Sequence, residues 1–174
     1  MSFYKTIARA LLLALGTGLV LPVYAKGKLY VQTPAAIDPQ ASINEKVKEE
    51  CAIENKVSFH IQENAKSSFD EVVPAKNLKD AGANKALTIT ILNVTGVGGG
   101  AWSGAKAITI QGKLQENGKV IGTFNARRTS GGGAFGGYKG TCSILERCAV
   151  ALGKDVAGWL ASPTMNAGLG EMSK

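Results

Sequence analysis

The chain has 174 residues, 45% of them apolar and 19% charged, which is enough apolar side chain for an ordinary core and excludes a disordered or collagen-like chain. Twenty Lys and Arg against thirteen Asp and Glu give a net charge of +7, a bias towards anionic partners and surfaces that names none of them. One His and three Cys leave little room for metal chemistry, and no metal site or cofactor is expected.

Residues 1–25 read as a secretory signal peptide. Lys5 and Arg9 stand there without an acid, Ala10 to Leu21 is an apolar run, and Val23-Tyr24-Ala25 is a cleavage site, with the cut after Ala25. The run is shorter than the roughly 20 residues that span a bilayer. Lys26, not a Cys, follows the cut, so lipid attachment is not expected. The mature chain is expected to be soluble, in the periplasm or secreted, with one domain over 26–163 and a flexible tail over 164–174. It carries 18 basic and 13 acidic residues, and the excess lies in residues 81–174, with ten basic against four acidic. The basic residues form no run, and an exported protein meets little nucleic acid, so nucleic acid is not an expected partner.

Lys28 to Gln32 alternates as a short strand, and Pro34 to Gln40 reads as a linker. Ser42-Ile43-Asn44-Glu45 fits a capping box, and Ile43, Val47, Cys51, Val57, Ile61 and Ala65 continue at helical spacing with a slip near Cys51, predicting one or two helices over about 43–66. Phe69 to Pro74 predicts a short edge strand limited by Pro74, and Lys76 to Lys85 a surface connection. Three strands follow over 86–94, 106–115 and 119–128, each alternating apolar with polar residues.

For the last two strands, a two-residue Asn117-Gly118 turn would mix apolar and polar faces. A three-residue Glu116-Asn117-Gly118 loop instead pairs Leu114 with Val120, Ile110 with Phe124 and Ile108 with Ala126. Lys113, Gln111, Thr109, Thr123, Asn125 and Arg127 then share a polar face, with Ile121 the exception. One wet face and one covered face predict a two-layer α+β domain with an antiparallel or mixed sheet. The cover is a helix over about 144–161, capped by Ser143, with a stripe of Leu145, Cys148, Ala149, Leu152, Val156, Trp159 and Leu160. In that register Gly112 lies opposite Gly122, leaving a hollow for Trp159 or Phe59.

Half of the 22 glycines fall in two loops, one after each outer strand of the meander, which therefore emerge at the same end of the sheet. Trp102, Ser103, Phe135 and Tyr138 lie among them, with Lys106, Arg127, Arg128 and Lys139 alongside and a helix N-terminus beside them. Rings, cations and open backbone N–H groups in one place predict a site for an anionic or peptide ligand; glycine loops with an aromatic also serve simply as tight bends covered by a ring. Gly96 to Ala101 has dinucleotide-motif spacing but precedes a strand, and Gly131 to Thr141 lacks the contiguous Gly-Lys-Ser/Thr of a phosphate loop.

In an oxidising compartment the three thiols suggest one disulfide, either Cys142 with Cys148 or Cys51 with one of them, with no disulfide as the remaining alternative. His60 reads as structural, and Lys154, Asp155, Glu49 and Glu50 as solvated helix charges. No carboxylate pair or nucleophile–base spacing argues for catalysis.

The stretches Gly99 to Lys106, Gly136 to Leu145 and Gly153 to Leu160, within about the last 80 residues, resemble small exported proteobacterial proteins of uncharacterised function. The layout of helices on one face of a small mixed sheet also resembles the N-terminal domain of TolB and the lipoprotein activators of penicillin-binding proteins. That resemblance implies a module that binds other envelope proteins. The expected function is therefore a non-catalytic periplasmic module docking an envelope protein or anionic component through the glycine loops. A small hydrolase or transferase using the loops as an anion cradle is the alternative, and a structural or stress protein without a specific site the third reading.

Overall fold

A computed structural model describes residues 27–97, 100–131, 133 and 135–173; the signal-peptide reading of residues 1–25 lies outside them. Seven strands form one mixed sheet, β1 (Lys28–Gln32), β2 (Ala36–Ile43), β3 (Glu71–Ala75), β4 (Lys85–Thr95), β5 (Lys106–Glu116), β6 (Lys119–Ser130) and β7 (Ala167–Gly170). Three helices, α1 (Glu45–Cys51), α2 (Ile53–Ala65) and α3 (Thr141–Leu160), pack on one face, giving the two-layer α+β fold that the strand alternation predicts. The strand order is β3-β1-β4-β5-β6-β7, with β2 also paired to β4. The β4-β5-β6 meander is antiparallel, and the remaining pairings are parallel.

β1 and β2 share one edge of β4, β1 against Leu29↔Lys85 to Val31↔Leu87 and β2 against Ala36↔Thr90 to Ile43↔Val94. The Gln32 side chain bridges the change of partner, its Oε1 accepting from the Ile89 N–H at 3.2 Å. The segment expected to be a linker is thus largely strand. Its pairing breaks between Ile37 and Ser42, where the Gln40 N–H bonds Asp38 Oδ1 at 2.7 Å, so the local turn chemistry that suggests a linker is confined to a bulge. Ser42 lies within β2, and the α1 cap is Asn44, whose side chain accepts from the Lys46 N–H. The slip near Cys51 is Ala52 in the left-handed region (φ 47°), ending α1 and opening α2. β3 is the expected edge strand, with Pro74 in register opposite Val31.

The β5–β6 turn differs from the expected one. Asn117 and Gly118 both have positive φ (50° and 73°) and form a two-residue turn between Glu116 and Lys119. A bulge between Leu114 and Gln115 on β5 then faces Val120 to Gly122 on β6 and leaves Ile121 as the extra residue. Leu114 pairs with Gly122, Ile110 with Ala126 and Ile108 with Arg128, two residues on from the expected register. Because the displacement is even, the expected faces survive. Gly112 stands opposite Phe124 instead of Gly122: a Cβ on Gly112 would lie 2.2 Å from the Phe124 ring, and one on Gly122 would lie 2.6 Å from Trp159. Trp159 therefore fills the space at Gly122, while Phe59 is exposed.

α3 begins at Thr141 with Gly140 as its cap, three residues before the expected start, and its expected apolar stripe is buried. It packs against α2 closely enough that a Cβ on Gly153 would come within 2.5 Å of the His60 carbonyl oxygen. Within the tail, residues 167–170 form β7, parallel to β6, and Glu171 accepts hydrogen bonds from the Thr129 N–H (2.7 Å) and hydroxyl (2.8 Å).

Candidate functional site

The antiparallel meander brings the β4–β5 and β6–α3 loops to one end of the sheet, as the strand count requires. Each carries a 3-10 turn, Gly100–Ser103 and Gly136–Tyr138. The turns touch, with the Trp102 indole 3.2 Å from where a Cβ on Gly137 would stand, a close approach that a larger residue would push outwards by a few tenths of an ångström. The Thr141 hydroxyl donates to the Val97 carbonyl at 3.0 Å, tying the start of α3 to the exit of β4. Trp102, Phe135 and Tyr138 are 85%, 80% and 89% exposed. Three large rings facing solvent at one end of a small domain make an apolar display that the core does not need.

The cations are dispersed. Lys106 is fully buried, its Nζ donating to Ser103 Oγ at 2.7 Å and its stem lying where a Cβ on Gly96 would be, 2.8 Å away. Arg128 points to the helix side, opposite Ile108, and forms two 2.6 Å bonds with Asp155, a bidentate pair that holds the guanidinium above its ordinary pKa. Asp155, read as a solvated charge, is thus an ion-pair partner, reached because strand alternation puts Arg128 on the covered face with Phe124 and Ala126; it lies roughly 21 Å along α3 from the helix start. Arg127, opposite Thr109, sits 3.6 Å from Glu171. Of the expected site residues, Trp102, Ser103, Phe135, Tyr138 and Lys139 share the loop end, Lys106 lies beneath it, and the two arginines face carboxylates to its side.

The disulfide joins Cys51 to Cys142 and leaves Cys148 buried, its thiol pushed up to about 11 by burial. Cys142 with Cys148 is not formed because both lie within α3, where roughly 9 Å of helical rise separates them. The bridge staples the end of α1 to the start of α3 and forms part of a cleft of about 460 Å³, with Lys46, Val47 and Glu50 on one wall and Tyr138, Lys139 and Thr141 on the other. The α1 wall carries no sequence signal of belonging to this end. Only the Cys51–Cys142 pairing would have placed it there.

His60 faces α3, with Nε2 buried and 3.6 Å from Glu146 Oε1, while Lys56 Nζ lies 2.8 Å from Glu146 Oε2. The Lys56 hydrogen bond is the main cause holding the Glu146 carboxyl below its ordinary value. Among the described residues no group of three or more His, Cys, Asp or Glu is placed to hold a metal ion, and no helix is long and apolar enough to cross a membrane.

No protein-family model and no curated protein matches the chain. Among solved structures it is similar to the PelC dodecamer from Paraburkholderia phytofirmans, at 16% identity over 76% of this chain and 91% of that one, with a TM-score of 0.47. A leucine-to-methionine variant of that dodecamer, in a different crystal form, aligns at 18% identity over 79% and 89%, with a TM-score of 0.48. A Xanthomonas campestris protein aligns at 10% identity over 81% and 88%, with a TM-score of 0.44. Likeness at this level carries no argument on function. The resemblance to the TolB domain extends no further than the layout of helices on one face of a mixed sheet.

Proposed function

We propose that the chain is a non-catalytic binding module of the bacterial envelope that docks a partner protein through its glycine-loop end. One observation carries the reading: Trp102, Phe135 and Tyr138 are each at least 80% exposed and sit on adjoining loops. Aromatic side chains of this kind are the common anchors of protein interfaces, and their exposure here has no counterpart in packing. Export rests on residues 1–25, and the disulfide fits an oxidising compartment.

A photo-crosslinking amino acid placed at Trp102, and separately at Lys113 on the polar sheet face, tests this in the native envelope. A discrete adduct from position 102 alone is expected, with its mass identifying the partner. No adduct there, from protein verified as folded and exported, overturns the docking reading. The hydrolase or transferase reading is favoured by one contact, the exposed Ser103 hydroxyl accepting a 2.7 Å hydrogen bond from the buried Lys106 amine, which sets a hydroxyl and an amine side by side at the loop end. It requires Ser103→Ala to abolish a turnover that Trp102→Ala only weakens.

A further inference from the structure

We infer that the Cys51–Cys142 disulfide is a redox-active site, exchanging with the thiols of a dithiol substrate through attack at Cys142. The inference stands on the disulfide and its cleft and does not depend on the docking reading. The two sulfurs are unequally placed. Cys51 is 2% exposed, whereas Cys142 is partly exposed, and both belong to the lining of the 460 Å³ cleft. Of the two residues, Cys142 is therefore the one that presents surface to an incoming thiolate.

The setting of Cys142 also favours its thiolate. It is the second residue of a 20-residue helix whose cap, Gly140, contributes no side-chain hydrogen bond and whose first turn holds no acid, so the positive end of the helix falls on this residue without a competing carboxylate. Lys139 lines the same cleft, as does Lys46, whose Nζ lies 3.9 Å from Glu50 Oε1. Cys148, six residues along the same helix, shows the opposite setting: it is 1% exposed, and its Sγ lies 3.5 Å from the Lys106 carbonyl. One helix thus holds a reachable sulfur at its start and an inert one in the core.

The exchange balances without another reagent. A substrate thiolate attacks Cys142 Sγ, the Cys51–Cys142 bond breaks, and Cys51 leaves as a thiolate that takes a proton. The second substrate thiolate then attacks the substrate sulfur of the mixed disulfide and expels Cys142. The substrate gains a disulfide and is oxidised, while the protein gains two thiols and is reduced.

The test uses the intact protein under native conditions. Millimolar dithiothreitol is added, samples are acid-quenched, and cysteines are mapped by alkylation and mass spectrometry, with labelling of Cys148 reporting global opening. Reduction of Cys51–Cys142 at least roughly 100-fold faster than Cys148 becomes labelled is expected, together with a glutathione adduct on Cys142 and none on Cys51 when reduced glutathione is the reagent. Equal rates for the two events would make the bridge a static staple and overturn the inference, as would a glutathione adduct confined to Cys51. In the Cys51→Ala, Cys148→Ala variant, iodoacetamide at neutral pH should label Cys142 faster than it labels the thiol of an unstructured single-cysteine peptide. Labelling no faster than that of the peptide thiol in a folded variant also overturns it. If that variant does not fold, the wild-type rates decide.

Discussion

The glycines of the strands and the glycines of the loops do opposite things with the same missing side chain. At Gly112 and Gly122 the space is taken by Phe124 and Trp159, whose rings meet edge to face at 4.9 Å on the covered side of the sheet. At the loop end, Gly137 lets the Trp102 indole lie against bare backbone while most of the ring stays in solvent, and a Cβ on Gly131 or Gly140 would meet nothing within 4 Å. A glycine beside an aromatic can therefore serve packing or display. What decides is whether the strand ladder carries the ring to the helix side or a loop carries it past the end of the sheet.

Substitutions on the two sides should separate these roles. The largest effect is expected for Trp159→Ala, which empties the space at Gly122 and should cost about 3–5 kcal/mol in chemical denaturation. Gly112→Ala follows at about 1–3 kcal/mol, because its Cβ would collide with the Phe124 ring, and a Phe124→Leu partner should recover part of the loss. Gly158→Ala, an exposed α3 position with open space around it, should change stability in the other direction by about 0.5–1 kcal/mol, read as a rise in Tm. Trp102→Ala should leave unfolding within about 0.5 kcal/mol of wild type while removing partner capture at the loop end. A cost as large as that of Trp159→Ala would show that the display is structural after all.

A smaller, pH-dependent effect lies at the α2–α3 contact. The folded protein holds the Glu146 carboxyl below its ordinary value of 4.5, first through the Lys56 hydrogen bond. A depressed carboxylate contributes stability that is fully present above the unfolded value and is lost as pH falls through the folded one. Denaturation midpoints of Glu146→Gln should therefore fall less steeply than those of wild type below about pH 4.5. Parallel curves would show that the Lys56–Glu146 pair contributes nothing to acid sensitivity.

Legibility follows the distance over which the determining contacts act. The meander strands and the α3 stripe are readable because period-2 and period-3.6 patterns record which face is buried, and Pro74 marks an edge because it lacks a ladder donor. β2 is hidden by Asp38 and Pro39, whose turn chemistry belongs to a bulge between two short pairings with β4. β7 is hidden because Ala167–Gly170 is glycine-rich and owes its order to β6 and Glu171. Arg128 joins the candidate site on sequence grounds because its Asp155 partner, far along α3, leaves no mark in local sequence. The α1 wall of the cleft escapes a sequence reading for the same reason.

By itself the sequence determined the two-layer class, the covered face of the meander, the helix that covers it and the convergence of two glycine loops at one end, because alternation, capping and strand count are local or nearly local. Tertiary structure alone decided the Cys51–Cys142 pairing, the β5–β6 turn and bulge, the Arg128–Asp155 ion pair, and which aromatics pack and which stand in solvent. Those outcomes depend on distances between segments far apart in the chain, and side-chain identity alone does not encode such distances.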